Sequence, residues 1–374
     1  MTRFNPIDGP LSELAPGLLT IDLPALAENW QLLDRMSGEA ECAAVVKADA
    51  YGIGLLQASA ALRDAGARTF FVATTAEAVA LRQKFSDVTI YVLNGLQPGK
   101  SSVFLEHELC PVLNSLEEIE EWAYDGNSAP AALHIDTGMN RLGLREEEAG
   151  ALADDAKQVS CLRLNLIMSH LACADTPSSL MNGCQLSRFR DAAGLFEGVP
   201  RSLSNSAGIF NGSAFHCDLV RPGIALYGGA ALKSHEDDCP MKPVVTVTAA
   251  ILQIRDVKAH ESVGYGAAET VEAPHKIAVV SAGYADGFLR SAGSTTAEKG
   301  ASAYVGGKHA PLIGRVSMDM IAIDVTEVDG LKRGDRVELF GPNASINRLA
   351  SNAGTISYEF LTGLGHRYRR TYKS

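Results

Sequence analysis

A chain of 374 residues has room for two domains, or for one large barrel with an appendage, around a sizeable core. Its 46% hydrophobic and 21% charged residues are those of an ordinary globular protein, and a formal net charge of -11 argues against a general nucleic-acid binder. Seven cysteines (Cys42, Cys110, Cys161, Cys173, Cys184, Cys217, Cys239), odd in number and without CxxC spacing, read as reduced thiols of a cytoplasmic protein, not as a disulfide framework.

In chain order, Met1 to Leu18 lacks a charged start followed by an apolar core, so no signal peptide is expected. No apolar run is long enough to span a bilayer, and no membrane partner or metal site is expected. Gly17 to Asp22 reads as a strand, and Asp22 can cap the helix that follows, with Pro24 in its first turn and Leu26, Trp30 and Leu33 on one face. From Cys42 onward strand-like and helix-like segments alternate. The strand candidates are Ala43–Lys47, Thr69–Ala73, Thr89–Leu93, Cys110–Leu113, Ala131–Asp136, Leu164–His170, Ser202–Ser204 and Leu219–Arg221. Helical stretches such as Gly54–Ala65, Ala76–Lys84, Ser115–Trp122, Glu146–Lys157 and Gln185–Phe196 lie between most of them. That repeat count predicts an α/β fold of the parallel (β/α)8 barrel type, with a doubly wound open sheet as the competing architecture.

The pattern changes near Pro240. Val244–Ile254, Lys276–Val280, Ala310–Ile313, Met320–Val325 and Arg336–Phe340 are β-branched runs parted by Gly, Asp and Asn turns, and helix signal is scarce until Ser345–Asn352. The expected division is a barrel over residues 1–240 and a mainly β domain over 241–374, joined through the polar stretch Lys233 to Asp238. The leader and first strand, 1–23, are candidates for packing on the β domain.

In a barrel, chemistry gathers at the C-terminal ends of the strands. Here those ends carry Lys47 and Tyr51 after the first strand, Asp136 and Arg141 after the fifth, His170 after the sixth, Ser204-Asn205-Ser206 after the seventh, and Arg221 with Pro222-Gly223-Ile224 after the eighth. Each has a plainer role open to it: Lys47 as a snorkelling lysine, Arg141 in a surface ion pair, His170 as a hydrogen-bonded core residue, Arg221 as a brace, the serines as a helix cap. Together they suggest more. A desolvated lysine suited to an imine, small residues at helix starts suited to a phosphate, and a histidine suited to stacking on a ring describe a pyridoxal phosphate site.

At this point the chain resembles the bacterial alanine racemases. The resemblance runs from Leu19 to about Arg370 and rests on ordered motifs: Val45–Gly52, Asp136–Gly143, Ser169-His170, Ser204–Ala207, Val220–Gly228, Val263–Gly266, Gly283–Gly287, Gly314–Met320 and Thr355–Glu359. It implies a homodimeric racemase of alanine that uses pyridoxal 5'-phosphate, serving cell-wall synthesis through D-alanine or alanine catabolism. Lys47 is then the residue that carries the cofactor and acts as one base. Tyr265 is the second base, acting on the opposite face, and comes with Met318 from the partner subunit. Arg141 and Met318 hold the substrate carboxylate, and the resemblance also promotes Tyr284 to a substrate-binding residue, although Tyr265 and Tyr284 alone read as aromatics anchoring glycine-rich turns. Tyr51, Ser206, Gly223, Ile224 and Tyr358 hold the phosphate, His170 lies against the ring, and Arg221 donates to its nitrogen.

The sequence departs from the family pattern at His134, where many members have a lysine that becomes carbamylated, and at Ile53, where a histidine is usual. Arg141 is then expected to be oriented by an anion or a neighbouring side chain. Two other readings fit parts of the chain: a related amino-acid decarboxylase, which calls for a carboxylate in place of Arg221, and a non-catalytic cofactor carrier, which needs neither Tyr265 nor a β domain.

Racemisation needs a base on each face of a planar carbanion. Lysine and tyrosine, whose ordinary pKa values are about 10, need positive charge nearby to serve as those bases. Arginine cannot give up a proton to the ring nitrogen, so a neutral ring and a poorer electron sink are expected. Arg221→Glu is accordingly expected to slow racemisation and to build up a new absorbance band of the bound cofactor; an unchanged spectrum would remove the role assigned to Arg221.

Overall fold

The computed structural model describes residues 14–126 and 129–374; the leader over residues 1–13 lies outside the described residues. The chain divides into two compact units. One comprises Leu26–Leu226 with Ala231–His235, and the other the described residues up to Ala25 with Tyr227–Ala230 and Glu236–Ser374.

The chain enters through strand β1 (Gly17–Asp22), which belongs to the second unit, and Asp22 Oδ1 accepts from Ala25 N at 2.9 Å to cap helix α1 (Leu23–Ser37). The first unit then runs through strands β2 (Glu41–Cys42), β3 (Ala44–Val45), β4 (Thr69–Val72), β5 (Thr89–Val92), β6 (Cys110–Leu113), β7 (Pro130–His134), β8 (Arg163–Met168), β9 (Arg201–Ser202) and β10 (Leu219–Val220). Strands β3 to β9 form one parallel sheet in sequence order, and β10 pairs in parallel with β2. Main-chain bonds close the cylinder. Asp218 N donates to Arg201 O at 3.0 Å and Arg221 N to Ser204 O at 2.9 Å, while on the other side Ala43 N donates to Val220 O and Val45 N to Pro222 O, both at 3.0 Å. The eighth strand therefore lies between the seventh and the first, as a (β/α)8 barrel requires.

Helices cover the outer face of such a barrel, so its strands are buried on both sides and read as continuous apolar runs. Phe70, Phe71, Val72, Ile90, Val92, Val112, Leu113, Leu133 and Ile167 are all inaccessible to solvent. Most strands stop a residue or two short of their expected ends, and where the run closes on a polar residue, as at Lys47, Asp136, His170 and Arg221, that residue already lies beyond the strand. Val46 N still donates to Phe71 O at 2.9 Å, but Lys47 already starts a turn.

The second unit is a mainly β structure with strand order β16-β15-β18-β11-β1-β19. Its spine is the long strand β11 (Val245–Val257), paired along its first half with β1 and β18 (Arg336–Phe340) and, past an irregularity between Ile251 and Gln253, with β14 (His275–Val280). Strand β14 in turn pairs with β17 (Ile321–Asp324), and β12 (Ser262–Val263) with β13 (Glu269–Thr270). Strands β15 (Ser302–Val305) and β16 (Lys308–Pro311) make a hairpin about Gly306 and Gly307, at φ 58° and 84°, the left-handed pair that a two-residue hairpin turn demands. Strand β19 (Tyr368–Lys373) runs parallel to β1 at the sheet edge; its charges, Arg369, Arg370 and Lys373, protect that edge and hide its strand character from an apolar count. Among the described residues no helix is long and apolar enough to cross a membrane. Of the seven cysteines, only Cys42 and Cys110 are buried.

Two loops in this unit are locked by backbone proximity. Gly287, at φ +88°, lies so close to the Gly363 carbonyl that a Cβ would run into it. Gly287→Ala is expected to destabilise this unit by about 2–3 kcal/mol or more, combining a left-handed φ with a backbone clash. A thermal unfolding scan reads the loss, and an unchanged transition would mean that the two loops can part freely.

Candidate functional site

The barrel seam assembles the site. Val45, bonded to Pro222, leads directly into Lys47, and Pro222 separates Arg221 from Gly223, so residues remote in sequence are neighbours in space. After Lys47 the chain makes an unusual turn. Ala48, Asp49, Ala50 and Tyr51 all take left-handed φ of 53–55°, a conformation costing a non-glycine residue about 1–2 kcal/mol. The cost is offset locally. Ala50 N donates to Val46 O, Gly52 N to Ala48 O and Gly54 N to Asp49 O, while Asp49 Oδ1 accepts from Leu55 N at 2.7 Å to open the next helix. The turn brings the Tyr51 hydroxyl so near Gly223 that a Cβ on residue 223 would collide with it. Ser206 Oγ joins the same corner, accepting from Gly223 N at 2.8 Å and Ala225 N at 3.3 Å, with Ile224 between them fully buried.

Arg221 is the buried cation of the site. Its guanidinium donates to Ser202 Oγ and to the Ser169 and Leu203 carbonyls, and lies over the Phe71 ring. Burial draws it down to about 10, which leaves it charged at neutral pH. Lys47 is lowered from its ordinary value by desolvation and then by Arg141, opposed by Glu77 and reinforced by Arg221. His170 is held well below its usual value by burial, then by Arg221, Arg141 and Lys47, and is therefore a neutral ring among cations.

His134 is a second neutral ring. Desolvation first, and then Arg221, pull it down to about 4. Its tautomer is set by Asn114, whose Nδ2 donates to Val112 O at 2.7 Å and Leu93 O at 3.3 Å. Asn114 Oδ1 is thus left facing His134 Nδ1 at 2.8 Å, so the ring donates from Nδ1 and keeps a lone pair on Nε2. Arg141 is exposed, on a loop shaped by Asp136, which accepts from Gly138, Met139 and Asn140 N at 2.8–3.2 Å.

Four of the residues singled out in the sequence lie in the other unit. Tyr265 is 70% exposed between two left-handed glycines, Gly264 and Gly266. Tyr284 and Met318 share an interlock: Tyr284 N donates to Ser317 O and Ala285 N to Met318 O, both at 3.0 Å. Behind them buried Asp286 takes a two-pronged ion pair from Arg367, whose third nitrogen reaches Asp319 Oδ1 at 2.7 Å. Tyr358 opens the helix Ser357–Thr362 and is partly exposed.

Residues that the sequence did not single out support the site. Glu77 bonds the left-handed turn, Asn114 fixes His134, and buried Gln185 donates to His170 O at 2.9 Å and Thr137 Oγ1 at 3.2 Å. A glutamine on an otherwise core-facing helical position is the one sequence signal for the last of these.

A lysine poised for imine chemistry, a serine- and glycine-lined corner and uncancelled positive charge form a receptacle for an anionic carbonyl compound. Comparison with known proteins decides the family. Residues 21–231 match the family model for the N-terminal domain of alanine racemase, and residues 244–372 that for its C-terminal domain. The chain belongs to the alanine racemase family. It is 46% identical over 371 residues to a biosynthetic alanine racemase of Agrobacterium fabrum, covering 96% of this chain and 94% of that one. It is also 46% identical over 365 residues to a catabolic alanine racemase of the same organism, covering 96% and 92%. The crystal structure of alanine racemase from Bartonella henselae, which has covalently bound pyridoxal phosphate, superposes with a TM-score of 0.89 at 38% identity, covering 96% of this chain and all of that one.

In this member of the alanine racemase family the two neutral histidines tie stability to pH. Unfolded, each takes up a proton as pH falls through about 6.5; folded, His134 resists until about 4. Native stability is therefore present above 6.5 and lost as pH falls through that window, His134 accounting for at most about 3 kcal/mol. His134→Gln is expected to flatten the loss between pH 6.5 and 4 in denaturant titrations, and a slope equal to that of the parent would refute the assignment of a neutral His134.

Proposed function

We propose that this chain interconverts L- and D-alanine with pyridoxal 5'-phosphate, as a homodimer in which each site joins one subunit's barrel to the β unit of the other. The residues present fit the cofactor: the corner where Tyr51 crowds Gly223 leaves no room for a side chain, and Ser206 is fixed beside it. Lys47 would hold the cofactor covalently, and Tyr51, Ser206, Gly223, Ile224 and Tyr358 would take its phosphate. His170 would lie against the ring, with Arg221 at the ring nitrogen. Once bound, pyridoxal phosphate supplies an electron sink for the charge left at the substrate α-carbon.

The rest falls to the side chains. Arg141 and the Met318 backbone, with Tyr284 alongside, would hold the substrate carboxylate. Lys47 exchanges a proton with one face of the α-carbon, and its lowered affinity for that proton favours its service as a base. Tyr265 of a second copy does the same on the opposite face; its exposure and the glycines beside it, which let the backbone approach closely, suit a residue that works on another chain. The observation that carries the reading is the desolvated Lys47 set against Arg221 and Gly223 across the barrel seam. Arg221 also weighs against decarboxylation, because its partners are neutral oxygens with no carboxylate to protonate a ring. The physiological role assigned is supply of D-alanine to the cell wall or use of alanine as a nutrient, in the cytoplasm.

Subunit complementation tests the shared site. Lys47→Ala and Tyr265→Phe proteins should each lose nearly all racemisation of L-alanine in D₂O. Dissociated, mixed and reassociated in equal amounts, they should recover about a quarter of parental activity, since random pairing of a symmetric dimer restores one site in each hybrid. Recovery of nothing from a mixture that has exchanged subunits would show that both bases come from one chain.

A further inference from the structure

The left-handed turn behind Lys47 has an anchor outside itself. Thr74 and Glu77 form a capping box at the start of the helix Thr75–Lys84, with Glu77 Oε2 accepting from Thr74 N at 3.1 Å and from Ala73 N at 3.0 Å. In an ordinary capping box the glutamate reaches only the cap residue. Here its other oxygen crosses to the neighbouring strand end, where Oε1 accepts from Ala48 N at 2.6 Å and Asp49 N at 3.3 Å. One carboxylate thus ties together the loops that follow the first and second barrel strands. It meets the turn at its first two left-handed residues, immediately after Lys47.

We propose that Glu77 is a positioning residue that holds the left-handed turn closed and so aims Lys47 and Tyr51 into the same site. This inference rests on the cofactor reading given above. The geometry supports it in two ways. Four consecutive non-glycine residues at φ near +54° have no intrinsic reason to stay there, and Glu77 supplies two hydrogen bonds to N–H groups at the start of the run. Among the described residues the same carboxylate is the anion that acts on Lys47, which otherwise meets Arg141 and Arg221, with His170 and His134 neutral nearby. Removing it therefore does two separable things: it frees the turn, and it strips the ammonium of that counter-charge, so that Lys47 loses its proton at lower pH.

The test follows Schiff-base formation on cofactor-stripped protein, not turnover. Pyridoxal 5'-phosphate is added over a range of pH, imine absorbance is followed in a stopped-flow instrument, and borohydride reduction with peptide mass mapping identifies the lysine modified. Glu77→Gln is expected to slow adduct formation at Lys47 by roughly 10- to 100-fold, the scale on which misaimed reacting groups lose rate, and to move the pH midpoint of the reaction downward. Thr74→Val, which removes the cap hydroxyl but leaves the carboxylate on Ala48 and Asp49, should stay within about threefold of the parent, as expected of a helix cap alone. Glu77→Asp retains the charge without the reach, so its rate should fall while its midpoint stays, and this variant decides the matter should Glu77→Gln not fold. Parental rate and midpoint in Glu77→Gln, or parental rate in Glu77→Asp, would overturn the positioning role while leaving the cofactor reading intact. A parent protein that forms no adduct at Lys47 would overturn both.

Discussion

The closure of the barrel is the constraint from which the site follows. Ala43 and Val45 on the first strand hydrogen-bond to Val220 and Pro222 beside the last, and that seam alone makes neighbours of Lys47 and the Arg221–Gly223 loop. A parallel barrel cannot leave its first and last strands unpaired without exposing two edges. The same main-chain bonds that remove the edges therefore also fix how Lys47 lies against its charged surroundings. The geometry of the candidate site is thus a by-product of edge pairing.

Gathering Lys47, Arg141 and Arg221 in one place is electrostatically unfavourable, and the Glu77 carboxylate beside the Lys47 turn opposes only part of it. Arg221 is satisfied by a hydroxyl and carbonyls, so its charge is stabilised but not cancelled. His170 and His134 stay unprotonated because burial strips the charged form of water and Arg221 repels it further, and Asn114 locks His134 into an acceptor form. Lys47 is the group that yields, its proton loosened by desolvation first and then by the neighbouring arginines. A carboxylate near Arg221 would cancel one of those cations and leave the desolvation of Lys47 in place. The unneutralised charge is what an anionic ligand would relieve on binding.

The sequence was legible where a residue's type and its place coincide. Continuous apolar runs such as Thr69–Val72 and Cys110–Leu113 announce parallel strands, and the polar residues that end them sit at one end of the barrel because strand direction is common to all. Less legible were the elements whose role depends on a remote partner. Strand β19 carries too many charges to look like a strand until β1 is seen beside it. Glu77 sits unmarked in a helical stretch, and only the fold reveals its bonds across the barrel end. The left-handed run after Lys47 leaves no trace in residue type, since alanine, aspartate and tyrosine are poor at φ > 0; tertiary bonds override local preference there.

The β unit answers a different demand. Tyr265, Tyr284 and Met318 are large and apolar, yet all are exposed, at 70%, 43% and 52%. Isolated exposed aromatics need no explanation, but Tyr284 and Met318 stand on loops fastened to one another. Gly283 is pressed against the Met318 carbonyl so closely that no side chain fits, and Asp286, almost wholly buried, is neutralised by both prongs of Arg367, which also grips Asp319. A loop ordered by folding loses its entropy in advance, so that a later encounter loses little more. Ordered loops that present apolar side chains to solvent suit an encounter with another surface. On the dimeric reading proposed above, that surface is the open end of the barrel in a second copy of this chain.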